Sequence, residues 1–234
     1  MQLTEICLML SIGFMVVISL FDNTQQSILD HKKSLIQAYA EGMLIIWLPV
    51  IFLLVHLVYS PLTLVSIGLK WNDSWQFLTS LGLLILVIFY FILSSLSLVK
   101  DEASQASLAK QITPLAWFMP KTKSQLAIFT LGLSVSAGIC EELIFRGYLL
   151  HALTEHVGLS FAVLISSALF GLCHLYQGLD HVIRTFIIGL VLCGVYWFSQ
   201  SLLMAIILHI AVDIYGGMTS YIVRHKMSKP CLKT

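Results

Sequence analysis

The apolar stretches of the second half of this chain concentrate ionisable side chains: Glu141, Glu142, Arg146, His174, His209 and Asp213. Groups of these types in apolar surroundings can do general acid–base chemistry: a carboxylate can take a proton, an imidazole can be oriented by a carboxylate, and a guanidinium can balance charge. Glu142 and Arg146 stand four apart, so on a helix they share a face and can pair. Glu141 is turned about 100° from Glu142, so Arg146 can neutralise Glu142 and leave Glu141 free as a general base. His209 and Asp213 repeat the four-residue spacing, which lets Asp213 orient or charge-stabilise His209. Phe170 and His174 repeat it again and place a phenyl ring beside an imidazole.

The elements that must hold these groups are helices in lipid. Hydrophobic residues make up 58% of the 234 residues and charged residues only 11%, with a mean hydropathy of +0.91. A soluble domain carries roughly 25% charged residues, so the composition excludes a water-soluble globule. Net charge is +1, and no basic tract is interleaved with aromatics, which excludes a nucleic-acid binder. Seven runs are long enough to approach a span: roughly 5–21, 38–60, 75–99, 125–151, 158–177, 183–199 and 201–223. They must be helical, because an open strand would leave backbone groups unpaired in hydrocarbon. The expected fold is therefore all-α and polytopic, with about seven transmembrane helices and the chemistry in a C-terminal four-helix bundle.

An ionisable group at the centre of a spanning helix costs about 2.5–3.5 kcal/mol, so six unpaired groups would cost on the order of 15 kcal/mol. They are expected to converge on one polar pocket. The chain divides into a three-helix segment at 1–99, a cytoplasmic or interfacial connection at 100–124, the four-helix core at 125–223, and a basic cytoplasmic tail at 224–234. Within the connection, Leu115-Ala116-Trp117-Phe118 has the composition of an interfacial segment. With the N-terminus outside, Lys32, Lys33, Lys100, Lys110, Lys121, Lys123, Arg184, Arg224, Lys226, Lys229 and Lys233 all fall on the cytoplasmic side, which satisfies the positive-inside rule. The expectation is an integral membrane protein of a bacterial plasma membrane, N-terminus out and C-terminus in. If the fourth helix runs 125–151, Glu141 lies near mid-membrane, and His174 lies about 9 Å toward the cytoplasm from the middle of its span.

Other features carry less chemistry. Of five cysteines, Cys140, Cys173 and Cys193 fall in apolar runs and read as small buried side chains. Cys231 stands four from the C-terminus, but Lys233 occupies a position that a prenylation signal reserves for an aliphatic residue. His56, alone in the second span, reads as a packing or hydrogen-bonding residue, and Pro49 as a helix kink.

Three segments carry a family resemblance. Glu141-Glu142-Leu143-Ile144-Phe145-Arg146-Gly147 resembles the EExxxR motif, Phe170-Gly171-Leu172-Cys173-His174 the FxxxH motif, and His209-Ile210-Ala211-Val212-Asp213 the HxxxN or HxxxD motif of the CAAX-protease and bacteriocin-processing (CPBP, or Abi) family. They occur in order, each on its own expected span, within about 125–223. The resemblance implies an intramembrane endopeptidase acting on a membrane-associated peptide or protein, with a CaaX-type or bacteriocin-type substrate. Glu141 with His174 would activate a water, and His209 with the residue at 213 would stabilise the oxyanion. Gly147 would allow close packing or a bend. Where the family has Asn at the last position an amide can donate to the oxyanion; an ionised Asp213 cannot, and would act protonated or through His209. The resemblance implies no cofactor, and the chain has no HExxH. The alternative is zinc, held by Glu141, His174 and His209 with one open position. Two further readings compete: a non-enzymatic peptide-binding or bacteriocin self-immunity protein of the same fold, and a small transporter with a proton-relay pocket.

Overall fold

The computed structural model describes residues 2–227. Most of the tail 224–234, including Cys231 and Lys233, lies outside the described residues. The helices are α1 (Leu3–Leu20), α2 (Thr24–Leu29), α3 (Leu35–Tyr59), α4 (Trp75–Leu98), α5 (Glu102–Ile112), α6 (Lys123–Ala127), α7 (Ser134–Glu142), α8 (Leu150–Leu172), α9 (Leu179–Ser199) and α10 (Leu202–Met227). No strand occurs among the described residues. Polar caps mark where several helices begin. Ser34 and Gln37 form a reciprocal capping box on α3, and Ser74 caps α4. Asp101 accepts from the Ala103 and Ser104 backbone at the start of α5, so the connection at 100–124 contains a helix of its own.

Six helices are long and apolar enough to cross a membrane, the fourth being a continuous stretch from Lys123 to Leu172. Carried on straight, its 50 residues would span about 75 Å against a hydrocarbon core of about 30 Å. It does not continue straight. Gly158 has φ 75° and ψ 163°, a conformation open essentially to glycine alone, and the chain reverses there. Ser166 Oγ donates to the Phe145 carbonyl at 2.7 Å, and the Phe145 and Phe170 rings lie 5.3 Å apart. Residues 159–172 therefore run back along the second half of the outgoing arm, so that residues 166 and 170 lie beside Phe145.

Two stretches of the outgoing arm, Ile128–Leu133 and Leu143–Leu149, are π-helical. Such widened turns tend to occur at functional sites; the second follows directly on Glu141 and Glu142. This arm is the centre of the molecule. In its span window 56% of residues are buried, against 11% in α4, which turns most of its surface to lipid. One apolar cluster joins Leu8 and Ile12 of α1 and Val50 and Leu53 of α3 to Cys140, Ile144, Phe145 and Tyr148 of the arm, with Phe170 and Leu202. Helices α1 and α3 thus pack directly against the core.

Each end of the bundle is closed by main-chain contacts. On one side the 60–74 loop is bound by Leu202 N to Gly68 O at 2.8 Å, Ser201 Oγ to Lys70 O at 2.6 Å and Tyr196 OH to Ile67 O at 3.1 Å. A Cβ at Gly147 would meet Ile67 and Leu202 at 3.2 and 3.3 Å, so this glycine serves close packing. On the other side Tyr39 OH donates to the Phe118 carbonyl at 2.7 Å and Arg224 Nη2 to that of Ala116 at 3.1 Å. Trp117 is 7% exposed and packs with Tyr39 and Phe129. The segment 115–118, whose composition suits the lipid interface, turns inward because these aromatic partners are available.

Candidate active site

The six ionisable residues come from three elements that the hairpin and α10 bring together. Glu141 and Glu142 end α7, Arg146 lies in the second π turn, His174 follows the end of α8, and His209 and Asp213 lie on α10. Glu142 and Arg146 are fully buried; Glu141 and His209 are 8% and 6% exposed.

The sequence pairing of Glu142 with Arg146 is present: Arg146 Nη1 donates to Glu142 Oε1 at 2.7 Å. The same oxygen also lies 2.8 Å from His209 Nδ1. Glu142 therefore bridges the guanidinium and the imidazole, a link that the four-residue spacing does not reveal because it joins α7 to α10. Since the carboxylate can only accept from Arg146, the natural arrangement has Nδ1 donating to it, which turns His209 Nε2 toward the other carboxylates. Nε2 lies 3.7 Å from Glu141 Oε2 and 3.8 Å from Asp213 Oδ2. Both are contacts between polar groups rather than hydrogen bonds. Asp213 is thus a neighbour of His209, while the close partner that orients the ring is Glu142.

Glu141 Oε2 and Glu142 Oε2 are buried and have no hydrogen-bond partner among the described residues. In a membrane interior such oxygens are costly, which makes Glu141 Oε2 a place for a substrate or water hydrogen. His174 Nδ1 lies 2.9 Å from the Phe170 carbonyl. A carbonyl only accepts, so Nδ1 carries the proton and Nε2 keeps its lone pair in the neutral ring. Among the described residues no hydrogen bond joins His174 to Glu141. Arg146 Nη2 reaches the Gly189 carbonyl at 3.3 Å.

Phe170 is the residue the sequence undervalued. Its ring lies 4.2 Å from Arg146 Cζ, 5.0 Å from the His174 ring and 5.8 Å from the His209 ring. The FxxxH spacing signals one of those contacts; the others depend on tertiary packing.

Among the described residues no group of three or more His, Cys, Asp or Glu side chains is placed to hold a metal ion. Outside the site, His56 Nδ1 bonds Thr4 Oγ1 at 3.0 Å and its ring packs against Tyr148, as a packing histidine would. Cys7, Cys140, Cys173 and Cys193 are free thiols.

A bundle of apolar helices around a buried carboxylate–histidine cluster defines a polytopic membrane protein with an intramembrane polar site. Residues 123–215 match the family model described as type II CAAX prenyl endopeptidase Rce1-like, a match that supports the resemblance of this region to CPBP-family intramembrane proteases. No curated protein and no solved structure matches the chain.

Proposed function

We propose that the chain hydrolyses a peptide bond of a membrane-associated substrate, of CaaX or bacteriocin type, with a water activated by Glu141 and His174. The single observation that carries this reading is the split between the two adjacent glutamates. Glu142 is tied through Oε1 to Arg146 and His209, while the Glu141 carboxylate is held by no hydrogen bond among the described residues and turns a buried oxygen toward His209 Nε2. Glu141 takes a proton from water as the oxygen attacks the scissile carbonyl carbon, and His174 Nε2 accepts a hydrogen bond from the second water hydrogen, which stays on the attacking oxygen. The C=O electrons move onto the oxygen, and His209 as the imidazolium, donating Nδ1–H to Glu142, offers Nε2–H to that oxyanion. Glu141 then passes its proton to the departing amine as the C–N bond breaks, leaving a carboxylic acid and an amine. Asp213 at the rim of the site acts on the oxyanion through His209. The pocket is served by residues 125–223, with 1–99 as its membrane wall. The Lys- and Arg-rich end of the bundle faces the cytoplasm, and substrates reach the site from that side or laterally from lipid.

The test is cleavage of a quenched-fluorescent peptide panel, including a farnesylated CaaX peptide, by the full chain in liposomes. Wild type and Glu141→Gln are compared with and without a zinc chelator. Cleavage abolished in the variant and unaffected by the chelator supports a glutamate-activated water. Loss under both conditions points to zinc, and cleavage equal in the variant and wild type overturns the proposed role of Glu141.

A further inference from the structure

We propose that Phe170 is a positioning residue for the whole cluster. Its ring fixes the Arg146 guanidinium, and its main-chain carbonyl fixes the tautomer of His174. The inference rests on the hydrolytic reading above. Phe170 is 1% exposed and stands where three functional groups meet. The guanidinium carbon lies 4.2 Å from the ring centroid, within cation–π range. A guanidinium held over a ring presents its N–H groups sideways, in its own plane. Those groups meet Glu142 Oε1 at 2.7 Å and the Gly189 carbonyl at 3.3 Å. Because Glu142 Oε1 also receives His209 Nδ1 at 2.8 Å, the orientation of the guanidinium sets that of the imidazole across the helix interface.

The same residue acts on the second histidine by another route. Its carbonyl lies 2.9 Å from His174 Nδ1, and its ring meets the His174 ring at 5.0 Å with an interplanar angle of 62°. Phe145 packs edge-on at 5.3 Å and holds the Phe170 ring from behind. An aliphatic side chain of similar bulk would fill this space, yet it has no π face for the cation and no edge for the imidazoles. A loss specific to the aromatic ring is therefore separable from a loss of packing.

The experiment has two arms on the full chain. In liposomes with the farnesylated peptide, Phe170→Leu is expected to lower kcat tenfold or more with KM unchanged within twofold, and Phe170→Tyr to retain at least a third of the wild-type kcat. An equal loss in both variants, or a change confined to KM, overturns the proposal. The second arm reads unfolding midpoints in detergent for Phe170→Leu, Arg146→Lys and the double variant, and needs no substrate. Coupling is expected: the double variant loses less than the sum of the single losses, because the lysine has already removed the planar partner. Additive losses reduce Phe170 to packing and overturn the proposal. Glu141→Gln separates the two readings. If it cleaves like wild type the hydrolytic role of Glu141 fails, whereas the coupling between positions 170 and 146 stands or falls by itself.

Discussion

Glu142 Oε1 lies 2.8 Å from His209 Nδ1 and 2.7 Å from Arg146 Nη1. One oxygen thus ties α7, the π turn after it and α10 together in a fully desolvated place. The neighbouring Glu141 makes no such bond, and the two carboxylates should separate cleanly under mutation. Glu142→Gln leaves a buried guanidinium without its counter-charge, a change that costs roughly 3–5 kcal/mol. It should lower the unfolding midpoint sharply and reduce cleavage with it. Glu141→Gln loses only the long 3.7 Å contact with His209 Nε2, so it should leave the midpoint near that of wild type while abolishing cleavage. Thermal unfolding in detergent beside a cleavage assay checks this. A stability loss as large for Glu141→Gln as for Glu142→Gln would contradict the division of labour.

Asp213 gives a smaller expected effect. Its Oδ2 lies 3.8 Å from His209 Nε2, and its side chain is 33% exposed, against 7% for that of His209. Glu142 already orients the ring, so Asp213→Asn should change kcat/KM by no more than about fivefold, either way, because the amide can itself donate to an oxyanion. His209→Leu, which leaves no donor at this position, should cost a hundredfold or more in kcat, as removal of an oxyanion donor does. Steady-state kinetics on one peptide decide it; comparable losses for the two variants would make Asp213 a full partner in the reaction.

The sequence carried the helical membrane fold because lipid leaves few alternatives: long apolar runs must become helices, and Lys and Arg gather at their ends. It also carried the pairing of Glu142 with Arg146, since that contact lies within one turn and survives the widening of the helix there. What it could not carry were contacts across helices. The bond from His209 to Glu142 spans 67 positions, and the guanidinium over Phe170 depends on how the hairpin closes. The burial of Trp117 was equally hidden, because an interfacial tryptophan and one packed against Phe118 and Tyr176 have the same local composition. The His174 side chain was expected within a span, and it instead follows the helix end, held by the Phe170 carbonyl.

Topology follows from the ends of the bundle. Asp73 lies exposed in the loop before α4, and Lys121 lies exposed before α6, at the opposite end. In a background with all cysteines replaced, Asp73→Cys should react with an impermeant maleimide on intact cells, and Lys121→Cys only after the membrane is opened. The reverse pattern would place the Lys-rich end outside and move the entry of substrate to the other face.

The hairpin itself rests on Gly158. The glycine adopts φ 75°, ψ 163°, and no neighbouring atom lies within 4 Å of where a Cβ would stand. A substitution there meets no steric clash with other residues, so any loss comes from the backbone. Gly158→Ala should cost about 1–3 kcal/mol, with a lower unfolding midpoint and weaker cleavage, since the reversal brings Phe170 and His174 back beside Glu141. Gly194 is the control: it stands within α9 with equally open space around it and no left-handed φ. Gly194→Ala should leave stability unchanged or raise it, because alanine favours the helix by roughly 1 kcal/mol over glycine. Unfolding midpoints of the two variants, measured side by side in the same detergent, provide the comparison. Equal behaviour would mean that the reversal at 158 is held by packing along the two arms and does not need the glycine.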